Sequence, residues 1–460
     1  MKTMLARWID LRLLRNVWKI SWPTVIYSLM ETGLGLVDIY LAGYIGMEAV
    51  ASIGLCRQIF LIIMISTLAI TTGTITLVAQ HFGARRYEAA SSVVYHSILL
   101  AVMAGLVLGV AGAFFAYPSL LLIGAKDEVL KLGTDYLQIL LGGVIFMLIN
   151  FATNGIFRAV GDAKTPLKIA LFINGLNVLI SWLLMHGVWI IPPYGISGIA
   201  MGTILARAIG AVLALRILLD RSRQVRLSFY TPFQSDPLWQ ILRIGFPAGL
   251  SGFLRNGARI IFFAILASTV AGTTALAAAS IVFQIRMLTI MPSLAFQVAV
   301  AALVGQSLGR KNLAEAEAYG WTSLKLCSVL MGILSLTVFF FPLLFIQWFT
   351  EDPAVLALGK MCMQFIAIEQ FCNCISIVAS GALSGAGDTK PSLHYTLLSQ
   401  WIIMLPLAVG LAWYTSYDIY GAWFAWGVAP ITQALMTLGR FKRGKWKKID
   451  VLRGTAPLED

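Results

Sequence analysis

Long apolar runs separated by short polar turns dominate the chain, at about 20–42, 52–80, 92–117, 132–158, 167–190, 195–219, 240–266, 275–305, 321–346, 356–384, 392–414 and 419–440. A helix needs about 20 apolar residues to cross about 30 Å of hydrocarbon. The pattern therefore predicts an all-α polytopic membrane protein with twelve transmembrane helices. The polar turns repeat. Residues 77–90, LVAQHFGARRYEAA, resemble 303–316, LVGQSLGRKNLAEA; residues 157–167, FRAVGDAKTPL, resemble 383–393, LSGAGDTKPSL; residues 130–138, LKLGTDYLQ, resemble 356–364, LALGKMCMQ. All three pairs share an offset of 226 residues (77 to 303, 157 to 383, 130 to 356). Three matches at one spacing indicate a duplicated unit. An even number of spans per half gives both halves the same orientation, as in parallel transporter repeats related by a pseudo-twofold axis along the membrane normal.

This divides the chain into an amphipathic cytoplasmic segment (1–19), a six-helix lobe (20–219), a charged linker (220–238) carrying Pro232 and Pro237, a second six-helix lobe (239–440) and a basic tail (441–460). The first segment alternates Arg7, Arg12, Arg15 and Lys19 with Trp8, Leu11 and Leu14, which fits an interfacial helix better than a signal peptide.

Composition sharpens the class: 59% of residues are hydrophobic and only 12% charged. The net charge of +13 would suit a nucleic-acid partner, but the basic residues cluster in alternate loops, around Arg85 and Arg86, Arg158 to Lys168, Arg216 to Arg226, Arg310 and Lys311, and Arg440 to Lys448. That is the positive-inside pattern. It places both termini in the cytoplasm of a plasma-membrane protein (the inner membrane of a Gram-negative cell), with membrane lipid and not nucleic acid as its surroundings. Cys56, Cys327, Cys362, Cys372 and Cys374 show neither a disulfide framework nor a zinc spacing.

A few polar residues stand out inside the apolar runs. Asp38 is a carboxylate within the first span, a position seldom kept without a functional partner; a purely structural polar contact is the alternative. A carboxylate away from water favours its neutral form, which makes a proton a candidate coupling ion. Glu31 lies two helical turns earlier, and aligning Pro23 with Pro247 sets it opposite Arg255. An ion pair between Glu31 and Arg255 that forms in one transport state and breaks in the other is one expectation; the alternatives are that each lines the cleft separately or that Arg255 pairs with Glu369. Pro23 is either a hinge or a static kink. The repeated Gly161-Asp162 and Gly387-Asp388 read as tight turns whose carboxylates cap the next helix.

The order of these elements, with GLGLVDIYLAGYIG at 33–46 and PPYGISGIAMGTILAR at 192–207, resembles the multidrug and toxic compound extrusion (MATE) family over about residues 15–440. The resemblance implies two pseudo-twofold-related six-helix lobes around a central cleft, exporting amphiphilic, often cationic compounds in exchange for H+ or Na+ by alternating access. It implies that Asp38 is the coupling carboxylate, with Asn177 and Thr203 as amide and hydroxyl partners and Asn150 and Asn154 lining the same cavity. Two departures matter. Ser181 stands where many members carry a second aspartate, and Arg255 and Asn373 stand where the sodium-coupled branch carries carboxylates. With one full charge among Asp38, Asn177, Ser181 and Thr203, a proton is favoured. Na+ held by Asp38, Asn177 and Thr203 stays open, and no other metal is expected.

The chain is thus expected to be a monomeric H+- or Na+-coupled antiporter without a cofactor, acting on small amphiphilic molecules. Glu31, Asn150, Asn154 and Arg255 are the candidate substrate contacts and Pro23 the conformational element. A lipid-linked oligosaccharide flippase of the same superfamily and an integral-membrane enzyme are the alternatives. No cluster of catalytic residues supports the enzyme reading.

Overall fold

A computed structural model of the chain describes residues 10–188, 192–228, 232–270 and 272–452, apart from the side chains of 61, 62, 64 and 65. Twelve helical passes run along it: α1 Leu11–Gly43, α2 Met47–Gly83, α3 Tyr87–Leu122, α4 in two segments (Asp127–Gly142 and Val144–Ala159), α5 Lys164–His186, α6 Gly195–Leu218, α7 Ser235–Ala267, α8 Gly272–Gly309, α9 Leu313–Phe340, α10 Pro353–Gly385, α11 Lys390–Trp413 and α12 Asp418–Lys442. Among the described residues nine helices are long and apolar enough to cross a bilayer, and the bent α4 pair makes a tenth. Met47–Gly83 and Asp418–Lys442 complete the twelve.

The polar turns do what their residues dictate. Asp10 accepts from the Arg12 N–H at 2.9 Å, Asn312 from the Glu315 N–H at 3.0 Å and Asp352 from the Ala354 N–H at 2.8 Å, so each caps orphan donors at a helix start. The repeated turns share their backbone. Arg85 and Lys311 take positive φ of 60° and 61°, and Gly161 and Gly387 take 88° and 83°.

The amphipathic segment is not a separate helix. From Leu11 it runs without a break into the first span, because nothing between Leu11 and Trp22 interrupts the backbone. Arg7 and Trp8 lie outside the described residues. Likewise the fourth span is broken, with its halves at 48°. A Cβ at Gly143 would meet Ile204 of α6 at 2.5 Å, so a glycine at the break admits α6.

The chain forms two compact units. One comprises the residues up to Val25 with Leu250–Val451; the other is Ile26–Gly249. The units do not begin where the expected lobes begin, at 20 and 239. The partition falls inside α1 and α7, two residues beyond Pro23 and Pro247. In the first unit, Phe262, Phe283, Met363 and Trp423 centre the core. Trp446 of the basic tail stacks on Phe441 at 5.2 Å, while Lys447 pairs with Glu317 at 2.6 Å. In the second, Ile53, Leu120, Leu137, Met147 and Ile199 centre the core. The linker is tied there too: the Gln234 N–H donates to His96 Nε2 at 3.0 Å and the Arg226 N–H to Ser91 Oγ at 3.1 Å. Residues 229–231 of the linker and 453–460 of the tail lie outside the described residues.

Close helix approach at glycine holds the second unit together. A Cβ at Gly245 of α7 would sit 1.8 Å from the Ala69 carbonyl oxygen of α2, and one at Gly202 would sit 2.2 Å from Ser181 Oγ. Gly245→Ala is expected to lower stability by roughly 1–3 kcal/mol, as overpacking does. Thermal unfolding of the detergent-solubilised protein measures it, and an unchanged melting temperature would contradict that packing.

Candidate functional site

The second unit gathers polar groups from four helices, α1, α4, α5 and α6. Asp38 of α1 is 6% exposed, set beside the apolar core of that unit. Its Oδ2 accepts from the Tyr136 hydroxyl of α4 at 3.1 Å. Thr203 Oγ1 of α6 lies 3.3 Å from Oδ1 and 3.4 Å from Oδ2. In turn Asn177 Nδ2 of α5 donates to Thr203 Oγ1 at 2.8 Å. Three of the residues expected at the coupling site therefore form one hydrogen-bonded chain. Ser181 is fully buried one turn along α5, and its hydroxyl donates to the Ile199 carbonyl at 3.3 Å. Among the described residues the buried Asn177 Oδ1 has no hydrogen-bond partner, so the chain of contacts ends on an acceptor oxygen.

A second polar layer lies two turns away along α1. Glu31 Oε2 pairs with Arg207 Nη2 of α6 at 3.2 Å, both side chains mostly buried. Asn150 Nδ2 donates to the carbonyls of Phe146 and Arg207, each at 2.8 Å, and Asn154 Nδ2 donates to the Tyr27 hydroxyl at 2.7 Å. The Arg158 guanidinium stacks on the Tyr27 ring at 4.3 Å, and its buried Nε and Nη2 have no hydrogen-bond partner among the described residues.

The ion pairs form within each unit. Glu31 is held by Arg207, because α6 brings a guanidinium against the same face of α1. Arg255 does not take Glu369: Arg286 of α8 holds that carboxylate in a two-pronged pair, Nε to Oε2 at 2.9 Å and Nη2 to Oε1 at 2.7 Å. Arg158 also differs, since it is 7% exposed and packed on Tyr27 instead of belonging to a solvated basic loop. Pro23 lies inside an unbroken α1.

Tyr27, Tyr136 and Arg207 were not singled out from sequence. Signals existed. Tyr136 lies inside the repeated LKLGTDYLQ, where the second copy has Cys362, and Arg207 ends the stretch at 192–207. Among the described residues no group of three or more His, Cys, Asp or Glu side chains is arranged to hold a metal ion. The Gly-Asp turns are structural. Asp162 accepts from the Thr165 N–H at 3.0 Å and pairs with Arg223 at 3.4 Å, while Asp388 takes Arg440 on both oxygens at 2.8 and 3.2 Å.

Twelve helical passes built from a duplicated six-span unit, with a buried carboxylate and its polar partners in one copy, are the architecture of a membrane transporter. The MatE family matches the chain twice, over residues 23–183 and 247–409, so the duplication is that of a recognised unit. The chain belongs to this family of multidrug and toxic compound extrusion transporters. It is 28% identical over 438 residues to a probable multidrug resistance protein NorM of Thermotoga maritima, covering 94% of this chain and 93% of the relative. It is 24% identical to a probable multidrug resistance protein YoeA of Bacillus subtilis, with 94% of each covered. Among solved structures it is similar to a MOP superfamily transporter from Pyrococcus furiosus, described as having a binding pocket of reverse polarity suggesting a different function (TM-score 0.88, 22% identity, 95% and 97% covered). It is also similar to a MATE transporter in an outward-facing conformation (TM-score 0.87, 22% identity, 95% and 98% covered).

Thr203→Val keeps the shape of the side chain but removes both hydrogen bonds that join Asp38 to Asn177. Loss of roughly 1–3 kcal/mol of stability is expected from the unpaired amide and carboxylate, together with reduced transport. Thermal unfolding alongside a dye-export assay checks it. Wild-type values in both would show that the chain of contacts carries neither role.

Proposed function

We propose that the protein exports amphiphilic compounds by alternating access, in exchange for an inward-moving proton that binds Asp38. The observation that carries this reading is the setting of Asp38. It is a single buried carboxylate whose bonded partners are two hydroxyls, with no cation within ion-pairing distance among the described residues. Such a group has one unit of charge to gain or lose, and its loss rearranges what Tyr136 and Thr203 donate to. The names of the curated relatives support drugs as the substrates. The clusters of basic residues at alternate loops support cytoplasmic termini. A bend at Pro23, which withholds a backbone N–H from the Lys19 carbonyl, is the proposed conformational element. It acts only if proton and drug bind the two states differently.

Sodium is the second reading, and one observation favours it: the unpartnered Asn177 Oδ1 is a hard oxygen beside Thr203. Reconstituted proteoliposomes loaded with a fluorescent amphiphilic dye separate the two. Export driven by a pH gradient alone, lost in Asp38→Asn and indifferent to Na+, is expected. Export driven by Na+ alone would replace the proton with sodium, and export by Asp38→Asn at the wild-type rate would remove Asp38 from coupling.

A further inference from the structure

The first unit sets three arginines in its membrane-spanning helices against one carboxylate. Arg255 and Arg259 lie one turn apart on α7, and Arg286 lies on α8. Glu369 of α10 is fully used: besides the two bonds from Arg286 it accepts from Asn373 Nδ2 at 3.0 Å, and it is 2% exposed. Arg286 is fixed further by the rings of Trp426 and Phe283, at 5.9 and 6.0 Å. Among the described residues Arg255 and Arg259 have neither an ion-pair partner nor a hydrogen-bond partner. Both have Arg286 as a charged neighbour.

Depth makes this arrangement informative. Arg255 lies about 18 Å of helix rise from the end of α7 at Ala267 and about 30 Å from its start, too deep to reach either end of the helix. A guanidinium at that depth is expensive unless something polar meets it, and like charges one turn apart add repulsion. Nearby amides are already committed, Asn256 to the Gly252 carbonyl at 3.0 Å and Asn373 to Glu369. Arg255 is nevertheless exposed and Arg259 half-exposed, so the partner comes from outside the fold.

The surrounding backbone is held in place. Trp401 Nε1 donates to the Leu254 carbonyl at 3.1 Å, and its ring stands 3.2 Å from where a Cβ on Gly257 would be. One side chain thus pins α7 on both sides of Arg255. It does so from Leu397–Met404, where α11 widens into a π-helix, a form that recurs at functional sites.

We infer that Arg255 and Arg259 form a binding site for the anionic group of an amphiphilic substrate, a carboxylate, sulfonate or phosphate carried on an apolar body. This names a substrate class for the export reading and rests on it. Guanidinium groups favour such oxyanions through paired, charge-assisted hydrogen bonds. A cationic drug would meet two unpaired like charges here and no free carboxylate.

Two xanthene dyes of similar size and opposite charge test it: carboxyfluorescein and rhodamine 6G, each titrated by fluorescence anisotropy against the full chain in phosphatidylcholine nanodiscs. Carboxyfluorescein is expected to bind, to weaken about 10-fold in Arg255→Gln and in Arg259→Gln, to bind nearly normally to Arg255→Lys, and to weaken as salt is raised. Rhodamine 6G should bind Arg255→Gln as well as wild type or better. Size-exclusion profiles identify any variant that has lost its fold, and the lysine variant keeps the test open if the glutamine variant does. Phosphatidylglycerol added to the nanodisc separates the sources: displacement of the dye assigns the site to a lipid headgroup phosphate, and no displacement assigns it to a soluble amphiphile. Rhodamine 6G binding without carboxyfluorescein binding, or equal carboxyfluorescein binding by wild type and both glutamine variants, overturns the anion site and leaves export standing. Absence of binding and export for both dyes would overturn the export reading as well.

Discussion

Hydrocarbon offers a charged side chain nothing to bond, and that constraint organises the polar interior of both units. Glu31 joins α1 to α6 through Arg207, and Glu369 joins α8 to α10 through Arg286. At the helix ends Asp162 and Asp388 take Arg223 and Arg440. Each of these pairs removes a charge from the account and fixes two elements in register. Among the described residues a few charged groups are left without an ion pair: Asp38 with hydroxyl partners alone, Arg158 on the Tyr27 ring, and Arg255 and Arg259 with neither ion pair nor hydrogen bond. The proposed proton and anion sites fall on groups that the fold leaves unneutralised.

The two copies of the repeat keep their scaffold and change their chemistry. Their turns match in backbone, with Gly161 and Gly387 both left-handed. Yet Asp162 caps the Thr165 N–H, whereas the matching residue in the second copy is Pro391, which has none to offer. Asp388 is then free to give both oxygens to Arg440. The same divergence reaches the interior. Tyr136, which donates to Asp38, corresponds to Cys362, and the buried Arg158 corresponds to Ser384. Duplication supplied matching turns, and substitution gave the interior of one copy the carboxylate Asp38 and that of the other the arginines Arg255 and Arg259.

Glycine sets how closely the frames can be built. At Gly202, Gly143 and Gly245 a single methyl group would overlap a neighbouring helix. Two of these contacts lie in the α4–α5–α6 packing that presents Asn177, Ser181 and Thr203 to Asp38. The site depends on them as much as on its own side chains, because a shift of a fraction of an ångström would open hydrogen bonds that already span 3.3 Å.

Span number, the duplication, the turn structures and the out-of-place carboxylate Asp38 were legible in the sequence, and the family resemblance pointed to Asn177 and Thr203 beside it. Their signals are local or periodic: apolar run length, a fixed offset, a carboxylate where hydrocarbon should be. The break in α4, the single helix from Leu11 to Gly43 and the pairing of charges were not legible. Which guanidinium meets Glu31 depends on the crossing of α1 and α6, 176 residues apart in the chain. No spacing along one helix encodes that distance. Sequence determined which residues were too polar for their surroundings; only the tertiary packing decided which of them found a partner, because ion pairing requires contact within a few ångströms.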